Sequence, residues 1–328
     1  MNLLQRRIVE DHLRQTGRHD QPEIFGGPPD DPGLTGPGSV SWEIHSDVAA
    51  ITIGGLGAIV MEILHPSVMA GVQDLSSYRE DPLRRGRTTF GYVVTTTFAN
   101  TRAATRLINA VKSMHARVNG VRPDGVPYRA LDPELIGWVH TCIPWAVMRA
   151  YERYNRPLSP GERDRYLTEQ AVIGRMGGAD DIPETVADLE AYVEQMRPRL
   201  EVTAQTLEFF DFLLTMPFGV PAALGPLSRP AHRFQAEVGM GLMPEWAQRL
   251  SGFESTALER RVLHAPLLHG YARTLRWAYG GLPPFAALAH ERVGLEADRR
   301  IAREDVGAGA GLGGQRHTVA RAHGPAGV

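Results

Sequence analysis

An uninterrupted apolar segment, ITIGGLGAIVMEIL (51–64), constrains the fold of this chain more than any other feature. It is shorter than the about 20 residues that a membrane-spanning helix requires. Asp47 stands before it at a position suited to an N-cap, and Pro66 follows it and restarts a helix. The segment therefore predicts a helix that is buried in a protein core, and we expect no membrane span.

The glycines of this segment, GGLGA (54–58), superficially resemble a dinucleotide-binding loop. However, Val60 stands where the third glycine would be, and no strand–turn–helix unit surrounds the motif. Close packing against another helix explains the small residues better, and we expect that role.

The rest of the chain also has helical periodicity, and no segment alternates strictly enough to demand a sheet. Side chains suited to N-caps stand at Asp47, Asp81, Asn100, Asp132 and Ser159. The sequence therefore predicts an all-α protein. The predicted helices cover 2–15, 47–64, 66–75, 82–98, 101–118, 133–154, 160–176, 183–196, 198–214, 231–241, 244–250 and 255–279.

Composition divides the chain into three parts. Residues 1–40 hold an N-terminal helix and a Pro/Gly-rich arm, 41–293 form a single all-α domain, and 294–328 are a tail of disordered composition. A second Pro/Gly-rich stretch, 216–230, connects two predicted helices. The arm either packs against its own domain or reaches a partner subunit, so a homodimer stays open.

Charge and cysteine content narrow the classes of function. The formal net charge of −2 gives no bulk attraction to nucleic acid or to an anionic membrane. Lys112 is the only lysine, so Schiff-base chemistry has almost no candidate, and Cys142 is the only cysteine. A single cysteine excludes a disulfide within the chain and any zinc or iron–sulfur site built from cysteines. Since the N-terminus also lacks a signal peptide, we expect a reducing cytoplasm.

Two predicted helices each carry a histidine on an apolar stripe. His115 lies four residues after Val111 and three before Val118, and Gly120 is expected to end that helix. His140 lies on the apolar stripe of the following helix. For one buried histidine, an imidazole with both nitrogens hydrogen-bonded within the core is the commoner explanation.

A polar motif, RRGRT (84–88), changes this balance because it places Arg84, Arg87 and Thr88 on one helical face. Taken alone, the motif is typical of a solvated basic face. Haem would account for the inward histidines and the arginines together, since it needs an axial imidazole and cationic partners for two propionates. A di-iron site is disfavoured, because Glu62 and His65 form a single E-x-x-H motif without a second copy.

Three segments in order resemble one bacterial family, the MpaB-type oxygenases, which also contains the latex-clearing protein, a rubber oxygenase. These segments read HPSVMAGVQDLSSYREDPLRRGRTTFGY, HARVNG and DGVPYRALDPELIGWVH, and the resemblance covers roughly 40–290. It implies a globin-like helical bundle around one buried haem b, with additional C-terminal helices. By motif, His115 matches the axial iron ligand, and Arg84, Arg87 and Thr88 match R-x-x-K-T.

This chain departs from the family pattern at two places. Arginine replaces the lysine of R-x-x-K-T at Arg87, and Leu75-Ser76 replaces a histidine-serine pair. A guanidinium essentially cannot coordinate iron, because it stays protonated. We therefore expect the second axial position to be open or to hold water.

Together these features predict a haem b-dependent oxidoreductase or oxygenase that uses dioxygen or peroxide on a small or apolar substrate. The expected iron ligand is His115. The expected catalytic residues are Arg87, Thr88 and His65, and the expected cofactor-binding residues are Arg84, His140, Met114, Val111 and Trp138. Two alternatives stay open: a haem-binding sensor or carrier without turnover, and a metal-free helical interaction protein.

Overall fold

The computed structural model of this protein describes residues 1–75, 81–215, 239–252 and 264–295. All of them belong to one unit, which spans Met1–Ala297. Nearly all regular structure is helical, which confirms the all-α class. The helices are α1 (Leu3–Thr16), α2 (Val40–Ser46), α3 (Val48–Glu62), α4 (Pro66–Leu75), α5 (Pro82–Phe98), α6 (Thr101–His115), α7 (Pro133–Tyr154), α8 (Pro160–Gly177), α9 (Val186–Met196), α10 (Ala204–Thr215), α11 (Glu245–Ser251), α12 (Ala265–Tyr279) and α13 (Pro284–Arg292).

The smaller elements are a π-helical turn (Pro22–Gly26), a 3-10 turn (Arg197–Arg199) and two strands, β1 (Asn119–Val121) and β2 (Pro127–Arg129). Several predictions fall outside the described residues: the connector 216–230, most of the helix 231–241, the first part of 255–279 and the tail from 296 onward. The division into three parts therefore stays a prediction.

All five predicted N-caps are confirmed. Asp47 accepts hydrogen bonds from the amides of Ala49 and Ala50 at the start of α3. The side chains of Asp81, Asn100 and Asp132 cap α5, α6 and α7 in the same way, and Ser159 caps α8 through a complete capping box. Helix starts are predictable here because one short polar side chain satisfies a donor only two or three residues away.

The most extensive contact among the described helices joins α3 to α7. A Cβ atom on Gly54 would lie 2.5 Å from Cα of Val147, far inside van der Waals contact. One turn later, a Cβ on Gly57 would lie 3.2 Å from the carbonyl oxygen of Gly239. The expectation that GGLGA serves close packing is therefore confirmed, because a larger side chain at Gly54 would separate the two backbones.

The predicted helix 101–118 is too long. Helix α6 ends at His115, and a short antiparallel hairpin of β1 and β2 follows it. Gly120 lies in β1 rather than at a helix C-cap, and a Cβ there would lie 2.9 Å from Tyr128 of β2. Val118 is buried, but it packs with Ala70 and Tyr128 outside the helix.

The hairpin was missed because its strands have three residues each, too few to show an alternating pattern. Its turn, Arg122-Pro-Asp-Gly125, has proline and glycine at their favoured positions, and the amide of Gly125 donates to the carbonyl of Arg122 at 2.9 Å. Helices α2 and α13 were not predicted, and α9 and α10 begin several residues later than their predicted starts.

The Pro/Gly-rich arm packs against its own domain. Phe25 is fully buried, and Asn100 donates from its amide to the carbonyls of Glu23 and Ile24 at 3.0 and 2.9 Å. The guanidinium of Arg292, which is 3% exposed, donates to the carbonyl of Asp31 at 2.7 Å. It also donates to the carbonyl of Phe98 at 2.8 Å. These bonds tie the arm to α5, α6 and α13.

Two histidines away from the predicted site are core histidines with both nitrogens satisfied. His12 lies between the hydroxyls of Tyr279, 2.8 Å from Nδ1, and Thr52, 2.9 Å from Nε2. Because Thr52 donates its own proton to the carbonyl of Val48, it accepts from Nε2. The hydroxyl of Tyr279 therefore donates to Nδ1, and burial lowers the pKa of His12 to about 4.

His45 repeats the arrangement with the nitrogens exchanged. Thr97 lies 2.7 Å from Nδ1 and Tyr166 lies 2.8 Å from Nε2, while Thr97 donates to the carbonyl of Val93. The imidazole therefore donates from Nδ1 to Thr97 and accepts from Tyr166. Burial lowers the pKa of His45 to about 3, so the residue stays neutral inside the core.

The contact at Gly54 predicts opposite effects for two neighbouring glycines. We expect Gly54→Ala to lower the free energy of unfolding by about 1–3 kcal/mol, because the new methyl group overlaps Val147. Gly55→Ala is the matched control, since no atom lies within 4 Å of a Cβ there. Removing a helical glycine should stabilise that variant by up to about 1 kcal/mol. Denaturant unfolding measures both, and equal stabilities would contradict the packing role.

The buried histidines predict a loss of stability in acid. The pKa of His45 is lowered on folding. Below about pH 6.5 the unfolded chain therefore binds a proton at His45, while the folded chain keeps the imidazole neutral. Its contribution to stability is present above that pH and falls as the pH drops toward 3. From pH 7 to pH 5 this amounts to about 2 kcal/mol. His45→Gln should remove that share of the pH dependence, and denaturant unfolding at both pH values would show it; an unchanged dependence would refute the assignment.

Candidate functional site

Helix α6 presents His115 at its C-terminal end. Ala104 and Ile108 are buried on the inner stripe of α6, and Val111 is partly buried. His115 continues that stripe and is partly buried as the last helical residue. Met114 lies beside the stripe with 51% of its surface exposed. The end of α6 therefore carries a partly buried imidazole, that of His115, next in sequence to the exposed apolar side chain of Met114.

His140, on α7, lies within electrostatic range of His115. Burial and, second, the charge of His115 lower the pKa of His140 to about 4. The hydroxyl of Tyr92, on α5, lies 3.5 Å from Nε2 of His140, and the two rings meet at 64° with centroids 5.8 Å apart. Burial also raises the pKa of Tyr92, so its hydroxyl stays protonated. Helices α5 and α7 thus bring Tyr92 and His140 into contact, and His115 of α6 lies within electrostatic range of His140.

Helix α8 closes one side of this cluster with two glycines. A Cβ on Gly177 would lie 3.1 Å from Nε2 of His140, and a Cβ on Gly174 would lie 3.1 Å from Cβ of His140. Both distances are tighter than ordinary contacts of this kind. The ring of His140 therefore fits against α8 only because these two positions lack side chains.

The three residues of the RRGRT motif have different surroundings. Arg84 is exposed, and the hydroxyl of Thr88, also exposed, donates to the carbonyl of Arg84 at 2.9 Å. Cβ of Arg87 lies 3.6 Å from where a Cβ on Gly17, the C-cap of α1, would be, and its Nη2 lies 3.9 Å from Asp81. Nε of Arg87 is buried and has no hydrogen-bond partner among the described residues.

His65 and Trp138 have their contacts elsewhere. His65 is buried, accepts from the amide of Ser67 at Nδ1, and lies 3.7 Å from Glu134 at Nε2. Burial, then the charges of Arg122 and Arg199, lower the pKa of His65 to about 4. The fully buried indole of Trp138 donates to the carbonyl of Glu62 at 3.2 Å. Both residues thus fasten α7 to the end of α3.

Tyr92 was not among the predicted site residues. It lies four residues after Thr88, and residues at that spacing share one face of a helix. That spacing could have placed Tyr92 beside the motif. No sequence signal could have shown that its hydroxyl meets His140, because the contact joins α5 to α7 across 48 positions.

Two general properties hold for the described part of the chain. It contains no group of three or more His, Cys, Asp or Glu side chains placed to hold a metal ion. No single helix in the described ranges has the length and apolar composition of a membrane span; only α2 and α3 taken together pass such a test, and they are bent by 92°.

Comparison with known proteins identifies the family. The family described as "ER-bound oxygenase mpaB/B'/Rubber oxygenase, catalytic domain" matches residues 42–277. An uncharacterized protein of Mycobacterium bovis and one of Mycobacterium tuberculosis are each 24% identical to this chain over 212 residues. That alignment covers 62% of this chain and 81% of each relative. No solved structure matches significantly.

The family match contains the whole cluster of Tyr92, His115 and His140, together with RRGRT and the α3–α7 contact. With most of its length matched, the chain belongs to the family of MpaB-type and rubber oxygenase catalytic domains.

Proposed function

We propose that this protein is a haem b-dependent oxidoreductase or oxygenase that acts on a small or apolar substrate, with His115 as the iron ligand. The observation that carries the proposal is the placement of His140 beside Tyr92 and within electrostatic range of His115, inside a domain of an oxygenase family.

The residues present fit the chemistry of a haem. A haem needs one protein ligand to its iron, so a single imidazole is sufficient where no larger ligand cluster is described. The buried Nε of Arg87 lacks an acceptor among the described residues, and a propionate carboxylate would supply one. Nη2 of Arg87 lies near Asp81, but a buried Nε without an acceptor is costly, which favours an acidic group on that side of α5.

When bound, haem iron would supply the redox chemistry with dioxygen or peroxide. The chain's own residues would bind the haem and orient the groups around it. His115 would bind through one ring nitrogen, and neutral His140, held by Tyr92, would be a hydrogen-bonding neighbour on the protein side. Arg84 and Arg87 would pair with carboxylates, while Thr88 would orient a polar group through the lone pairs that its bond to Arg84 leaves free.

The apolar character of the substrate is supported by Val111 and Met114. They lie one turn or less before His115 on α6, and Met114 exposes about half of its surface. A flexible thioether suits irregular apolar groups. Trp138 supports this only indirectly, because it packs in the core. His65, bound to Ser67 and Glu134, would act at a distance by fixing the start of α7.

Substitution of His115 tests the ligand. We expect His115→Ala to bind far less haem after reconstitution, with a lost or shifted Soret band, because no other side chain replaces the imidazole. The measurement is the absorption spectrum together with the haem-to-protein ratio. His290→Ala is the control, since His290 is also partly buried but packs against Trp42 on α2. Full haem retention and an unchanged Soret band in His115→Ala would rule out the assignment.

Substitution of two arginines tests the proposed pairing with the haem propionates. We expect Arg87→Met to weaken haem retention about tenfold, as removal of one charged hydrogen bond does. Arg84→Met should have a smaller effect, because Arg84 is exposed. Haem transfer to a scavenging apoprotein measures both rates of loss. Equal rates for the two variants would remove Arg87 from the cofactor site.

The alternatives give different results with the same protein. A sensor or carrier would show the haem spectrum but no oxidation of any substrate with dioxygen or peroxide. A metal-free interaction protein would stay colourless after haem supplementation and contain no iron by elemental analysis. The absorption spectrum, the iron content and an assay of substrate oxidation therefore separate the three functions.

A further inference from the structure

A small cavity lies between α7 and α8, next to the histidine pair. It is bounded by His140 and Thr141 on α7, by Gln170 on α8, and by apolar side chains that include Leu167 and Ile182. Its volume is about 10 Å³. That is room for a single water molecule and nothing larger.

Thr141 brings an unsatisfied hydroxyl to this cavity. Its side chain is 2% exposed, and Oγ1 is buried without a hydrogen-bond partner among the described residues. A buried helical threonine commonly donates to the carbonyl four residues earlier, as Thr96 does to Tyr92 at 2.8 Å. Leaving a buried hydroxyl unpaired is costly, so its position against a polar cavity indicates a bound partner.

Pro144 frees an acceptor at the same place. It lies inside α7 and has no N–H, so the carbonyl of His140, four residues earlier, lacks its helical donor. His140, Thr141 and Pro144 all line the cavity. A break in the helical hydrogen bonds and an unpaired hydroxyl therefore occur within one turn.

Gln170 supplies a second acceptor from the opposite helix. Its Nε2 donates to Oγ of Ser41 at 2.9 Å, which fixes the orientation of the amide. Oε1 remains available as an acceptor and belongs to a residue that lines the cavity. The cavity thus offers one donor, from Thr141, and two acceptors, from His140 and Gln170.

We propose that this cavity is a binding site for one structural water molecule. The water accepts from the hydroxyl of Thr141 and donates to the carbonyl of His140 and to Oε1 of Gln170. Three bonds are the usual number for a buried water. The molecule bridges α7 to α8 at the break beside His140, and the inference does not depend on haem binding.

Replacement of the hydroxyl tests the site. With the water present, Thr141→Val loses a hydrogen bond, so we expect the midpoint of thermal unfolding to fall by about 3 °C. Thr141→Ser keeps the hydroxyl and should keep most of the stability. If the hydroxyl is merely unpaired, Thr141→Val removes a buried polar group at no loss, and the midpoint rises. A rise would overturn the proposal.

Thr96→Val is the matched control, because Thr96 is also 2% exposed but bonds within its own helix. Its midpoint should change by less than that of Thr141→Val, and an equal change would count against the site. A crystal structure of the full chain gives an independent result. Density for one water within hydrogen-bond distance of Thr141 and Gln170 supports the proposal, and its absence there refutes it.

Discussion

The close approach of α3 and α7 at Gly54 is the contact on which the rest of this structure depends. Because Gly54 has no side chain, the backbone of α3 lies directly against Val147 of α7. The same two helices are joined again at the other end of α3, where Trp138 donates to the carbonyl of Glu62. With its position fixed at two points, α7 becomes a rigid support, and the direction in which it presents His140 follows from that support.

The sequence predicted those parts of the fold that depend on local interactions. Helix starts at Asp47, Asn100 and Ser159 were predictable because each cap bonds within its own first turn. The end of α6 was not, since Val118 continues the apolar spacing while its side chain packs against Tyr128 of the hairpin. Apolar spacing shows that a side chain is buried, but it does not show which element buries it.

In the candidate site, too, the sequence predicted local features but not long-range contacts. The sequence predicted that His115 and His140 lie on inward stripes, and both side chains are partly buried. It could not show that His12 and His45 are satisfied core histidines, because the tyrosines that bond to them lie 267 and 121 positions away. The role of an inward histidine thus depends on long-range partners, which spacing within one helix cannot reveal.

Around His140, the constraints on α7 come from missing groups rather than from added ones. Gly174 and Gly177 lack the side chains that would push the ring of His140 away from α8. Pro144 lacks the N–H that would otherwise donate to the carbonyl of His140. Each omission costs helix stability, since glycine and proline are the poorest helix formers. A side chain at Gly174 would overlap both Ile182 and His140, so the packing of α7 against α8 requires this glycine despite its cost to the helix. The shape of the space around His140 is therefore kept at the expense of local helix stability.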